Sequence, residues 1–194
     1  MSSLTKSLKP HFEQITLPII NFFAKLGISP NFLTVSGLVF TLFSVPFLAQ
    51  GAFVEGGILV LLGALCDSLD GPLARKTNRV SKFGALLDST IDRISDFLPL
   101  FGLALYFAEH LIWLSITLLN IAFWFLVSYV KARLEGLGVK KPIGGLFERT
   151  ERVVVLITAL FLNLVQWGLL ITLIGSFFTF LQRLYLGYKY LSRE

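Results

Sequence analysis

Cysteine and histidine are nearly absent from this chain, and charge is scarce: 194 residues include one Cys, two His and 15% charged residues. A lone Cys66 excludes an intramolecular disulfide framework and reads as a small buried helix residue. His11 and His110 stand singly, so neither a histidine metal site nor a nucleophile–histidine triad is available. An average soluble domain is about 25% charged. The shortfall here leaves too little polar surface to cover a water-soluble globule. What fills the chain instead is apolar, with 55% hydrophobic residues and a mean hydropathy of +0.76. An integral membrane protein is the economical reading.

Apolar stretches recur at Phe32 to Ala49, Phe53 to Leu65, Phe83 to Phe107, Leu111 to Val130, Val153 to Leu164 and Trp167 to Leu186. A span needs about 20 mostly apolar residues. The second stretch reaches that length if its helix runs on through Asp67 and Asp70, and the fifth if it begins near Glu148. The expectation is an all-α integral membrane protein whose single domain, residues 29–194, has six transmembrane helices. Residues 1–28 are set apart. There Phe12, Ile15, Ile19, Phe22 and Phe23 recur at helical spacing among Lys6, Lys9, Glu13 and Lys25, the pattern of an amphipathic helix in the interface. Its acid content and lack of a small-residue cleavage site argue against a removable signal peptide.

Basic residues follow the same segmentation. Lys6, Lys9 and Lys25 precede the first span, and Arg75, Lys76, Arg79 and Lys82 lie between the second and third. Lys131, Arg133, Lys140, Lys141, Arg149 and Arg152 bracket the loop between the fourth and fifth, while Arg183, Lys189 and Arg193 close the chain. The alternate loops, near residues 51–55, 108–110 and 163–166, contain no Lys or Arg. The positive-inside rule then puts both termini on the cytoplasmic side of the cell membrane, and six spans satisfy that parity. The net charge of +5 belongs to that one face, where it suits anionic headgroups or a phosphorylated ligand. It is too dispersed among loops to favour nucleic acid.

Against this background, residues 67–92, DSLDGPLARKTNRVSKFGALLDSTID, hold four aspartates where apolar residues would be expected. Asp67 and Asp70 are three apart, and Asp88 and Asp92 four apart, so each pair shares a helix face. A short turn from about Lys76 to Ser81 would bring the two faces together at one membrane surface. Four converging carboxylates repel unless cations neutralise them. Hard oxygen donors favour Mg²⁺, Mn²⁺ or Ca²⁺ over zinc, and two ions would balance four charges. Two other readings remain open. The acids could pair with Arg75, Arg79 and Arg93 as solvated helix ends, or belong to an ion-binding transporter without enzymatic activity, although the outer halves of the spans contain almost no ionisable residues. Gly71 directly after Asp70 would allow close approach of a ligand to the backbone, and Gly84 lies one turn before Asp88.

Written out, the spacing is Asp67-x2-Asp70-Gly71-x2-Ala74-Arg75-x8-Gly84-x3-Asp88-x3-Asp92. It resembles the signature of the CDP-alcohol phosphotransferases, membrane enzymes with six spans and an N-terminal interfacial helix. The resemblance implies transfer of a phosphatidyl or related group from a CDP-linked lipid to an alcohol, with release of CMP. It further implies that Asp67, Asp70, Asp88 and Asp92 hold two Mg²⁺ or Mn²⁺ ions and that Asp92 is the catalytic base. Gly71, Ala74 and Arg75 match the cytidine and phosphate pocket, with Ser81 adding a hydroxyl. The stretch SPNFLT resembles the family's start of span 1, where Pro30, Asn31, Phe32 and Leu33 would border the nucleotide. Family members are commonly homodimers.

A second group bears on the acceptor. Ser128, Lys131 and Arg133 end the fourth span, Arg149 and Arg152 begin the fifth, and Gln182-Arg183 comes late in the sixth. Each basic residue alone could be ordinary positive-inside anchoring. Together they resemble the part of the family that makes phosphatidylinositol phosphate or its archaeal ether-lipid counterpart. Inositol 1-phosphate is then the expected acceptor, its dianionic phosphate met by Ser128, Lys131, Arg133, Arg149, Arg152 and Arg183 beside the aspartates. The donor would be CDP-diacylglycerol or CDP-archaeol. Glycerol 3-phosphate and serine are the alternative acceptors, as in phosphatidylglycerophosphate and phosphatidylserine synthases of the same family. Thr150 departs from the Pro common there in bacterial inositol-phosphate enzymes.

Overall fold

Every regular element among the described residues, 15–139 and 144–192, is an α-helix in this computed structural model. Phe12 of the expected amphipathic stripe lies outside these residues. So do Lys6, Lys9, Glu13, His11, Lys140, Lys141 and Arg193. The seven helices are α1 (Ile15–Lys25), α2 (Pro30–Ala49), α3 (Phe53–Lys76), α4 (Lys82–Tyr106), α5 (Leu111–Gly136), α6 (Arg149–Phe161) and α7 (Val165–Leu191). They fall into two compact units, with α1–α4 in the first and α5–α7 in the second.

The first unit is built around α2. Chain reversal after α1 uses Gly27 at φ +72°, with Ile28 N–H donating to Phe23 O and Gly27 N–H to Ala24 O. That is the left-handed helix stop that glycine adopts without steric cost. Ser29 then caps α2 by accepting from Phe32 N–H at 3.1 Å, and Pro30 occupies the first turn, where its missing N–H costs nothing. α2 packs on both α3 and α4. Its crossing with α3 is close enough that a Cβ on Gly37 would stand 2.9 Å from Gly63 O, the small-residue contact expected of membrane helices. α1 joins this unit through Ile20, which is buried with Leu33, Leu69 and Leu73. Of the expected stripe, Phe23 packs against this cluster, while Ile15, Ile19 and Phe22 are exposed.

In the second unit α7 packs on α5 and α6. The buried face of α5 runs through Thr117, Asn120, Trp124, Val127 and Val130. Asn120 Nδ2 donates to Leu169 O at 3.0 Å, and Thr172 Oγ1 donates to Asn120 Oδ1 at 2.9 Å. Such interhelical hydrogen bonds hold membrane helices together where no hydrophobic difference drives them to associate.

Four helices, α2, α3, α5 and α7, are long and apolar enough to cross a membrane. Large apolar side chains stand exposed along them, such as Phe43, Ile58, Leu118 and Ile174. The chain is thus a multi-pass membrane protein. The other two expected spans differ in kind. α4 has 25 residues, but Asp88, Asp92 and Arg93 fall in its first half and Asp96 just past its middle. α6 has 13 residues, a rise of about 20 Å at about 1.5 Å per residue against a hydrocarbon core of about 30 Å. It stops before the expected Leu164 because Asn163 turns left-handed at φ 57° and Leu164 N–H bonds back to Ala159 O.

Candidate active site

The link between α3 and α4 is a tight reversal with both ends capped. Asn78 sits at φ 55°, Arg79 N–H donates to Ala74 O at 2.9 Å, and Asn78 N–H to Arg75 O at 3.4 Å, which closes α3 with the paired bonds of a left-handed stop. Asn is one of the few side chains that tolerate this conformation. Ser81 then opens α4, its Oγ accepting from Gly84 N–H at 2.9 Å. The expected turn over 76–81 is therefore present, and the Ser81 hydroxyl has a local structural task as a helix cap.

This reversal lays the C-terminal end of α3 against the start of α4. One carboxylate oxygen each from Asp67, Asp70 and Asp88 lie within 4.8 Å of one another. Two oxygens on opposite sides of a hard cation at about 2.4 Å would be about 4.8 Å apart, so the set fits a divalent ion. Asp70 is buried and is held by Thr34, whose Oγ1 donates to Oδ2 at 2.6 Å. Thr34 Oγ1 also lies 3.2 Å from Pro30 O. Asp92 is not one of the three that meet. It lies one turn further along α4, where Arg93 Nη2 donates to its Oδ2 at 3.1 Å. Arg93 Nε is 3.9 Å from Oδ2 of the buried Asp96. Arg93 therefore pairs with one of the four acids, Asp92, as the ion-pair reading asked of it, and also approaches Asp96, which that reading did not include.

Asp70 and Asp88 open onto a cavity of about 280 Å³. Pro30, Asn31, Gly71, Ala74, Arg75 and Ser81, six of the eight expected nucleotide residues, line it. The other two do not: Leu33 is packed in the core with Ile20, and Phe32 is 60% exposed. Thr34, Arg79, Val80, Gly84 and Ala85 complete the wall. Gly71 is open on this side, since a Cβ there would meet nothing nearer than Arg75 Nη1 at 3.5 Å. Arg79 Nη1 also lies 3.4 Å from Gly27 O, tying the reversal to the end of α1.

The expected acceptor residues all belong to the second unit, where two of the arginines are deeply buried. Arg152 is 1% exposed, with its guanidinium 4.9 Å from the Trp124 ring centroid and Nη1 3.4 Å from Trp124 O. Arg183 is 3% exposed and donates from Nη1 to Val127 O at 2.6 Å, with Nη2 3.8 Å from Glu148 Oε1. Ser128 Oγ donates to Trp124 O at 3.1 Å. Ser128, Arg152 and Arg183 are thus gathered on two carbonyls of α5 about one turn apart, the first two on Trp124 O and the third on Val127 O. Lys131 follows one turn on, half-buried, Arg133 is exposed, and Arg149 is half-buried at the start of α6.

A family model described as CDP-alcohol phosphatidyltransferase matches residues 27–181. The chain belongs to this family. Archaetidylinositol phosphate synthase of Pyrococcus horikoshii is 40% identical over 183 residues, covering 94% of this chain and 95% of its own. Phosphatidylinositol phosphate synthase of Streptomyces avermitilis is 33% identical over 196 residues, covering 93% and 80%. Crystal structures of Mycobacterium tuberculosis phosphatidylinositol phosphate synthase superimpose at a TM-score of 0.80 with 29% identity. The complex with manganese and citrate covers 88% of each chain. The form with CDP-DAG bound covers 90% of this chain and 94% of that one.

Two residues of this CDP-alcohol phosphatidyltransferase site go beyond its spacing motif. Thr34 holds Asp70 from another helix, and its signal was its place four residues after Pro30 on the same helix face. Arg79 enters the cavity wall through the left-handed turn at Asn78, which no periodicity announces.

Proposed function

We propose that this protein transfers a phosphatidyl or archaetidyl group from CDP-diacylglycerol or CDP-archaeol to inositol 1-phosphate and releases CMP. The observation that carries this reading is the three-carboxylate cluster opening onto a cavity lined by Gly71, Ala74 and Arg75. The names of the relatives support the acceptor, and the CDP-DAG and manganese bound to the mycobacterial synthase support the donor and the class of metal.

Divalent ions held by these acids, two Mg²⁺ or Mn²⁺ with Asp92 completing the set, would neutralise the pyrophosphate and the charge building on CMP. The chain's own residues do the rest. Pro30 and Asn31 border the nucleotide, Gly71 admits it close to α3, and Arg75 and Arg79 offer guanidinium donors to phosphate oxygens. Asp92 accepts the proton of the acceptor hydroxyl. That oxygen bonds to the lipid-side phosphorus as the bridging P–O bond breaks, and CMP leaves with the electron pair. Ser128, Lys131, Arg133, Arg149, Arg152 and Arg183 recognise the acceptor's phosphate. We place α4 and α6 with the four long helices as a six-span bundle, with α1 at the interface and both termini cytoplasmic, as the distribution of Lys and Arg favours.

The test supplies the purified protein with CDP-diacylglycerol or CDP-archaeol and Mg²⁺ or Mn²⁺. Inositol 1-phosphate, glycerol 3-phosphate and serine are added in separate reactions. CMP release with inositol 1-phosphate, abolished by a chelator and restored by the metal, is the expected result. Release only with glycerol 3-phosphate or serine overturns the acceptor assignment. Release with none of them overturns the transferase reading.

A further inference from the structure

The segment that enters α6 is fastened to α7 by three successive rungs. Gly145 N–H donates to Glu148 Oε1 at 2.9 Å, the oxygen that Arg183 Nη2 approaches to 3.8 Å. Leu146 N–H donates to Gln182 Oε1 at 3.0 Å, and Phe147 N–H to Thr179 Oγ1 at 2.9 Å. Thr179, Gln182 and Arg183 are three and four residues apart, so they share one face of α7. Packing closes the same seam: a Cβ on Gly145 would fall on the Thr179 methyl, and the Phe147 ring fills the space beside Gly175. Amides in irregular segments commonly turn to water. Two consecutive amides aimed at α7 side chains, with Glu148 linking a third to Arg183, leave this segment little freedom to slide.

The consequence falls on the basic residues. α6 begins at Arg149, directly after the fastened segment, and its first turn includes Arg152. Glu148 stands at the N-cap position yet makes no side-chain cap bond, its carboxylate being turned back to Gly145 and Arg183. We infer that Gln182 and Glu148 are positioning residues that latch segment 144–148 onto α7 and present Arg149, Arg152 and Arg183 as a preformed set for the acceptor's phosphate. This rests on the acceptor reading above and adds the residues that organise it. An arginine already held needs less ordering when an anion arrives, so the latch acts on acceptor affinity rather than on the chemical step.

The experiment measures KM for inositol 1-phosphate and for the CDP-lipid, with kcat, in Gln182→Ala and Glu148→Gln. Loss of the Leu146 rung in Gln182→Ala should raise the acceptor KM about five- to tenfold. The donor KM and kcat should stay within about twofold. Glu148→Gln keeps an acceptor oxygen for Gly145 and loses the charge facing Arg183, and should raise the acceptor KM by about two- to threefold. An unchanged acceptor KM in both variants, or an equal rise in donor and acceptor KM, overturns the latch. Failure of the unaltered protein to use inositol 1-phosphate overturns the acceptor reading, which the parent measurement detects before any variant is compared.

Discussion

In the first unit, α3 and α4 bring three carboxylates within 4.8 Å beside an open cavity; in the second, α5–α7 bury two guanidiniums against groups the protein itself supplies. The contrast follows from the chemistry of the two side chains. An ionised carboxylate only accepts hydrogen bonds, so clustering several raises repulsion that a cation relieves. A guanidinium only donates, and helix carbonyls, an aromatic face and a carboxylate are available inside a bundle to receive it. The acidic end is therefore arranged around something to be bound, while the basic end already has its charges met by the protein's own groups.

Breaking the acidic end should give the largest effect. Asp92→Asn keeps the shape and removes the carboxylate proposed above as the base, so kcat should fall by about 10²–10⁴. A fall of less than tenfold in steady-state CMP release would show that Asp92 is not the base. Next comes Thr34→Val, which deletes the hydroxyl that holds Asp70. The metal concentration for half-maximal activity should rise about 10–100-fold, as when a partner of a metal ligand is lost. Thr34→Ser should restore it. Equal metal dependence in all three proteins would remove Thr34 from the site.

Gly71→Ala sharpens the comparison by separating ligand space from protein packing. The nearest atom to an added Cβ is Arg75 Nη1 at 3.5 Å, an ordinary contact. In mid-helix, Ala is favoured over Gly by up to about 1 kcal/mol, so thermal stability should hold or rise. The methyl would nonetheless stand in the cavity, and the donor KM should rise about tenfold, the scale of a modest overpacking cost. A lowered melting temperature with unchanged donor KM would make Gly71 a packing residue and nothing more.

What the amino-acid order made legible, and what it did not, divides along local and non-local lines. Asp67, Asp70 and Asp88 were readable because spacings of three and four put residues on one helix face and the intervening reversal is short. The multi-pass character was readable because hydropathy is additive along a segment. α1 was half readable: it has apolar residues on two faces, so periodicity found the exposed Ile15, Ile19 and Phe22 and the packed Phe23, but missed Ile20, which the fold buries against Leu33, Leu69 and Leu73. Leu33 was expected at the nucleotide and lies in that core instead. The early stop of α6 depends on a left-handed Asn163, which hydropathy does not register. Burial of Arg152 and Arg183 depends on Trp124 and on a carbonyl of α5, partners supplied by another helix and invisible to any window of sequence.

The smallest expected effect tests the basic end. Trp124 offers Arg152 two things, the face of its ring at 4.9 Å and its backbone carbonyl at 3.4 Å. Trp124→Phe keeps the carbonyl and an aromatic face but weakens the ring's attraction for a cation, Trp being the strongest partner of the three aromatics. The guanidinium should stay in place with somewhat more freedom. A cation–π contact is worth about 0.5–2 kcal/mol, and only part of it is lost, so the acceptor KM should rise about two- to fivefold. Donor KM should be unchanged, because Trp124 belongs to the second unit and the cavity lining to the first. A rise in both constants would mean that shrinking this fully buried ring loosens the protein generally, and the distinction between an end arranged around something to be bound and an end whose charges the protein itself meets would fail at this residue.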